Sequence, residues 1–273
     1  ASEAAPAGPT GTLDLLVGPD AYRRLPGLIR QALQAQGQGQ GLEQKGLAVD
    51  LSEYETYQDI MPERTEGTNA WITVMRGCDN FCSFCVVPYT RGRERSRDAN
   101  GIIREAEHLI VQGYKQITLL GQNVNSYRFD DPSSGEGAWD FARLITAVAD
   151  LPGVERVRFT SPHPKDFPPA LMDAVAVHPK ICAHIHLPLQ AGNARILAMM
   201  NRTYSRKEYL ALGKDIRRRC ADIVLSTDII CGFPSETEEE FLDSYRTVQE
   251  VGYHEVFIFK YSERTHTIAA RKY

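Results

Sequence analysis

Trp71-Ile72-Thr73-Val74-Met75-Arg76-Gly77-Cys78-Asp79-Asn80-Phe81-Cys82-Ser83-Phe84-Cys85 sets two signals side by side. The apolar run Trp71 to Met75 predicts a strand, and the three cysteines that follow crowd into eight residues of loop. Thiols at the C-terminal end of a strand lie where α/β barrels carry out chemistry. Three thiolates suit a 4Fe–4S cube, because each ligates one iron and the fourth iron stays open to a substrate or cofactor. Two other readings use the same residues: a tetrahedral zinc completed by a distant ligand, and three small side chains packed in a core.

Working outward, strands are predicted over Gln116 to Leu120, Val154 to Phe159, Ala183 to Leu187, Ile223 to Ile230 and Glu255 to Phe259. Helical stretches alternate with them near residues 101–112, 140–150, 168–177, 193–219 and 236–251. This alternation predicts a parallel α/β sheet, closed or partly closed. In the last helix, Ser235 and Glu238 read as a capping box, Phe241, Leu242, Tyr245 and Val248 as the apolar stripe, and Gly252 as the stop.

Toward the N-terminus, residues 1–12 read as a flexible tail. A short strand from Leu13 to Val17, a Gly18-Pro19-Asp20 turn and a helix carrying Leu25, Leu28, Ile29 and Leu33 follow. Residues 35–41 (AQGQGQG) read as a spacer, since no strand-turn-helix context makes their glycines a phosphate loop. A polar link runs to about Asn69. The chain therefore divides into a tail, a small α/β remainder with its linker over 13–68, and a core over 69–273.

With 273 residues, 42% of them hydrophobic and 24% charged, the chain has the composition of a soluble globular protein. No apolar run approaches the ~20 residues of a membrane span and no signal peptide is recognisable, so a cytoplasmic protein without membrane association is expected. Six cysteines are too few for a disulfide scaffold in a chain this long. The net charge of −4 leaves open a local basic patch that could meet nucleic acid.

Cys78-x3-Cys82-x2-Cys85 after the first strand of a β/α chain resembles the radical S-adenosylmethionine (SAM) superfamily. The resemblance implies a partial (β/α)6 barrel, preceded here by the remains of a small α/β domain. It also implies a 4Fe–4S cluster on Cys78, Cys82 and Cys85, with SAM chelated to the open iron and cleaved by one electron to methionine and a 5'-deoxyadenosyl radical. On the same footing Phe84 would lie against the SAM adenine, Gly121 and Gln122 would stand where the superfamily contacts the SAM amino group, Gly232 would allow close approach to the adenine, and Gln190 would be a further polar contact. Phe84 also reads as an ordinary core aromatic, and Gly232 as a turn glycine before Pro234.

Cys85-Val86-Val87-Pro88-Tyr89-Thr90-Arg91-Gly92-Arg93-Glu94-Arg95-Ser96-Arg97 is similar to the methylthiotransferases, and Leu119-Leu120-Gly121-Gln122-Asn123-Val124-Asn125-Ser126-Tyr127 looks like their MiaB-type, tRNA-modifying branch. That resemblance implies addition of a methylthio group to C2 of N6-isopentenyladenosine beside a tRNA anticodon, with flavodoxin or ferredoxin as electron donor. Branches acting on threonylcarbamoyladenosine or a ribosomal protein, and a non-catalytic zinc and RNA-binding module, are the alternatives. The family's auxiliary 4Fe–4S cluster uses three N-terminal cysteines, but no cysteine precedes Cys78; its C-terminal RNA-binding (TRAM) barrel is also missing, so the chain reads as a fragment. Cys182, Cys220 and Cys231 read as small core residues. Arg91, Arg93, Arg95 and Arg97, followed by Arg104, could grip phosphates of the tRNA anticodon stem-loop, or form a solvated, salt-bridged face. Lys207, Lys214, Arg217, Arg218 and Arg219 read as a solvated helix face.

Overall fold

A computed structural model describes residues 15–37, 46–57, 60, 62–64, 67–130 and 137–273. The expected tail and the end of the expected spacer lie outside these residues. The chain separates into two compact units, 1–55 and 56–273, so the linker residues described after Glu55 fall with the second.

In the first unit β1 (Leu15–Val17) pairs in parallel with β2 (Gly46–Ala48), and α1 (Leu25–Gly37) connects them. This is the strand, turn and helix predicted, except that α1 runs through the first residues of the supposed spacer. Ile29 and Leu33 of the predicted apolar face stay exposed.

The second unit opens with β3 (Asn69–Thr73), two residues earlier than the apolar run suggests, and β4 (Met75–Arg76) continues it. Then come α2 (Val87–Arg91), β5 (Arg95–Ser96), α3 (Ala99–Val111), β6 (Gln116–Leu120), and the short antiparallel pair β7 (Arg128–Phe129) and β8 (Trp139–Asp140). Next are α4 (Phe141–Asp150), β9 (Arg156–Phe159), α5 (Pro169–Val177), β10 (His184–His186), α6 (Ala194–Met199) and α7 (Arg206–Arg219). β11 (Val224–Cys231), α8 (Glu238–Val251), β12 (Glu255–Lys260) and α9 (Ile268–Lys272) complete it.

Strand order is β3-β6-β9 and β10-β11-β12, all parallel, and the bridge Val157 to Ile181 joins the two sets. Alternation then sorts the side chains. Ala70, Ile72, Ile117, Leu119, Val157, Ile185 and Leu225 are buried on the helix side, against Leu109, Leu144, Val148, Leu171 and Ile216 of the surrounding helices. Each Val, Leu or Ile side chain among them contributes about 1.5–3 kcal/mol on burial. Their neighbours in sequence, among them Asn69, Trp71, Thr118, Arg158 and His186, face one cavity of about 420 Å³ on the other side. Four strands converging on one cavity make the sheet concave, a partial barrel, which is the partly closed parallel sheet that the alternation predicts.

Two helix expectations are corrected. The stretch 193–219 is two helices, because Asn201 takes a left-handed backbone (φ 56°) and Ser205 with Glu208 starts α7 with its own capping box. The capping box of α8 is Thr237 with Glu240, not Ser235 with Glu238, since Ser235 is itself left-handed (φ 61°). The buried face of α8 is Ser244, Thr247 and Val251, while Phe241, Leu242 and Tyr245 are exposed. The reason is close backbone approach. Gly192 donates its N–H to Ser244 Oγ at 2.7 Å, and a Cβ on Gly192 would stand 2.5 Å from the Asp243 carbonyl oxygen. A small side chain is required at Ser244, where the two backbones meet.

Candidate metal and cofactor site

The cysteine loop leaves β4 at the C-terminal rim of the barrel and is fastened on every side. Gly77 is left-handed (φ 77°), and a Cβ there would fall 2.0 Å from the Arg93 carbonyl oxygen, so glycine alone lets the loop cross the strand that returns through β5. Gly77 N–H donates to Gln122 Oε1 at 2.7 Å and Cys78 N–H to the Gly92 carbonyl at 3.2 Å. Ser83 donates from Oγ to the Met199 carbonyl (2.7 Å) and from N–H to that of Met200 (2.9 Å), while Asn201 Nδ2 donates to the Phe81 carbonyl (2.9 Å). Ala269 N–H of α9 donates to the Ser83 carbonyl at 2.7 Å.

Cys78, Cys82 and Cys85 are unbridged and half-buried. Each sulfur has a donor: the backbone and side-chain amides of Asn80 for Cys78, Arg202 Nη1 at 3.3 Å for Cys82, and the Val87 backbone for Cys85. Burial pushes the Cys78 thiol up to about 11 and raises that of Cys85, so thiolates here call for a bound cation. Among the described residues no group of three Cys, His, Asp or Glu side chains converges as one metal ion requires. Three thiols match the three protein ligands of a cube whose fourth iron stays open, whereas a structural zinc needs a fourth protein ligand.

Around the rim, the expected cofactor contacts fall into two groups. Phe84 is half-buried and packs on the core; Gln190 is buried, left-handed (φ 71°), and bridges to Ile229. Gly232 is left-handed (φ 72°) with open space where a Cβ would be, and its N–H donates to Glu236 Oε2 at 2.6 Å, as the turn reading has it. Gly121 and Gln122 work inside the protein instead. A Cβ on Gly121 would meet Met75 Cγ at 2.5 Å, and the Gln122 carboxamide holds the cysteine loop through Gly77.

The arginine ladder also splits. Arg91 and Arg93 are exposed, Arg93 pairing with Asp79 at 2.9 Å. Arg95 and Arg97 are buried, which corrects their assignment to phosphates. Arg95 donates to the Arg91 carbonyl (3.0 Å), and Arg97 to the Thr73 carbonyl (2.6 Å) and to Glu105 (2.9 Å). Two-residue alternation through β5 causes this, since it puts Arg95 and Arg97 on the same, buried side. On α7 Lys214 meets Glu250, Arg218 meets Asp215 and Arg219 meets Asp173, while Arg217 donates to the Val251 and Gly252 carbonyls.

Two groups escaped the sequence. Arg202 lay hidden in what read as continuous helix. In the lumen, His184 Nε2, Ser226 Oγ, His186 and Asp228 form a chain with links of 3.3, 3.0 and 3.1 Å. Polar residues at alternate positions of apolar strands were its only signal.

The sequence profile of the Radical SAM superfamily matches residues 72–248, from β3 through most of α8. The chain belongs to the radical SAM superfamily. Solved structures agree on this fold: the radical SAM methyltransferase TsrM of Kitasatospora setae (TM-score 0.58, 18% identity, 73% of this chain and 38% of that one) and coproporphyrinogen III oxidase of Escherichia coli (TM-score 0.51, 16% identity, 75% and 46%). Curated relatives are nearer in sequence. The tRNA-2-methylthio-N(6)-dimethylallyladenosine synthase of Bacteroides thetaiotaomicron is 49% identical over 95% of this chain, and that of Prosthecochloris aestuarii 46% over 96%. This radical SAM chain spans about half the length of those relatives, 55% and 56%. Among its described residues no helix is long and apolar enough to cross a membrane.

Proposed function

We propose that this chain is the SAM-cleaving core of a methylthiotransferase that modifies C2 of N6-isopentenyladenosine next to a tRNA anticodon, in the cytoplasm. The observation carrying this reading is a three-thiol loop, with a donor on every sulfur, in a chain 49% identical to a synthase of that name. Cys78, Cys82 and Cys85 hold a 4Fe–4S cluster, and Phe84, Gln190 and Gly232 border the place of SAM. With SAM bound, the cluster supplies the radical chemistry that removes hydrogen from an unactivated carbon. The cavity of about 420 Å³ beneath has room for a splayed base. Arg91 and Arg93 lie on the exposed side of the same loop, where tRNA phosphates would approach. A flavodoxin or ferredoxin would deliver the electron.

Cys182, Cys220 and Cys231 stand at the foot of β10, the C-cap of α7 and the end of β11. They share no loop or strand end, so we assign no second cluster to these three cysteines. The test is anaerobic reconstitution followed by iron and sulfide analysis, 5'-deoxyadenosine assay and mass spectrometry of digested tRNA. About four irons, SAM cleavage and no methylthio product are expected from this chain alone. A colourless protein holding one zinc would overturn the reading.

A further inference from the structure

Arg202 is buried against the cysteine loop and hydrogen-bonds through three of its nitrogens. Nη1 donates to Cys82 Sγ at 3.3 Å, Nη2 to the Pro188 carbonyl at 2.7 Å and Nε to Tyr204 Oη at 2.8 Å. Tyr204 Oη in turn donates to the carbonyls of Pro188 and Leu189, both at 3.1 Å, which anchors the cage to the rim loop leading into Gln190. Two of the three partners are neutral oxygens. A guanidinium cannot discharge by losing its proton, and a buried charge needs an opposite one. Tyr204 Oη keeps its proton, donated to the Pro188 and Leu189 carbonyls, so Cys82 is left to carry that charge; a thiol is a weak acceptor whereas an iron-bound thiolate is an anion.

The three sulfurs are therefore not equivalent. Cys78 and Cys85 are hydrogen-bonded by neutral amides, while Cys82 is hydrogen-bonded by a cation, whose field reaches Cys85 as well. Hydrogen bonds and charge at cluster sulfurs set the reduction potential, and a nearby cation favours the reduced, more negative cluster. We infer that Arg202 is a positioning residue that holds the Cys82 sulfur for iron and raises the reduction potential of the cluster. This rests on the cluster reading given above. It makes one arginine both the electrostatic control of electron entry and the tie between the cluster loop and the rim at Pro188 to Gln190.

The test compares the unchanged chain, Arg202→Gln and Arg202→Lys, each reconstituted anaerobically, by iron analysis, thermal unfolding and redox titration monitored by electron paramagnetic resonance. Arg202→Gln should shift the midpoint potential to more negative values at unchanged iron content. Arg202→Lys, which keeps the charge but not the three-way fork, should lie between. If Arg202→Gln takes up no iron and Arg202→Lys restores it, the inference is supported through the placement of Cys82. Unshifted potentials in both fully loaded variants overturn it, as does loss of iron from both, which would make the residue a packing element. An unchanged chain that holds no iron overturns the cluster reading instead.

Discussion

Asn125 and His163 clamp each other across the barrel rim: Asn125 Nδ2 donates to the His163 carbonyl at 2.9 Å, and His163 N–H donates back to Asn125 Oδ1 at 2.7 Å. The pair joins the loop after β6 to the loop after β9, and both residues are buried. Replacing Asn125 by Leu would leave an N–H and a carbonyl without partners, at about 1–3 kcal/mol each. Urea unfolding of Asn125→Leu should show a loss of roughly 3 kcal/mol, and a loss under 1 kcal/mol would mean that water takes over both bonds.

His163 also makes stability depend on pH. Its Nδ1 accepts the Lys165 N–H, and burial, with Arg202 and Lys165 adding to it, lowers the ring to about 3. A histidine in the unfolded chain titrates near 6.5, so the unfolded state binds the proton more readily. Stability is therefore full above about 6.5, falls as pH drops, and stops falling only below 3. Near pH 5.5 the loss from this group is roughly 1 kcal/mol. Asparagine at 163 keeps an acceptor for Lys165 N–H and cannot titrate. The stability gap between His163→Asn and the unchanged chain should shrink by that amount from pH 7.5 to pH 5.5.

Glycine substitutions separate the cysteine loop from ordinary turns. Gly77 and Gly113 are both left-handed (φ 77° and 96°), but a Cβ at 113 meets nothing within 4 Å. Gly113→Ala should cost about 1 kcal/mol and bind iron normally. Gly77→Ala must displace the Arg93 carbonyl and should bind well under half of the iron. Equal iron contents would show that the loop tolerates the shift.

Arg93 and Arg97 should fail in different assays. Arg93→Ala is expected to weaken tRNA binding and to flatten its salt dependence by about one contact, with stability unchanged. Arg97 and Arg64 both pair with the buried Glu105 carboxylate, each at 2.9 Å. Arg97→Ala leaves that charge half-compensated, so a loss of roughly 3 kcal/mol should appear in thermal unfolding. A stable Arg97→Ala with a reduced salt slope would return this residue to the RNA surface.

Replacing Cys182, Cys220 and Cys231 together by serine should leave iron per chain unchanged, whereas Cys82→Ala should lose it. Iron that falls in the triple variant would make those cysteines ligands.

Motif and alternation were legible because both are local. A thiol spacing and the two-residue period of a strand depend on neighbours in the chain, and they placed the six parallel strands and the cysteine loop. The capping box of α8 was misplaced by two residues because Ser235-x2-Glu238 and Thr237-x2-Glu240 satisfy the same pattern; the left-handed turn at Ser235 decides between them.

The sequence by itself determined an α/β barrel with three thiols on its rim, since hydrophobic period and cysteine spacing survive any detail of packing. Only the tertiary structure decided what each rim residue does. Gln122 serves Gly77, Arg97 serves Glu105, and Arg202 reaches Cys82 across 120 positions of chain. A side chain's role depends on which groups burial brings within about 3 Å of it, and for residues so far apart no period or spacing encodes that distance.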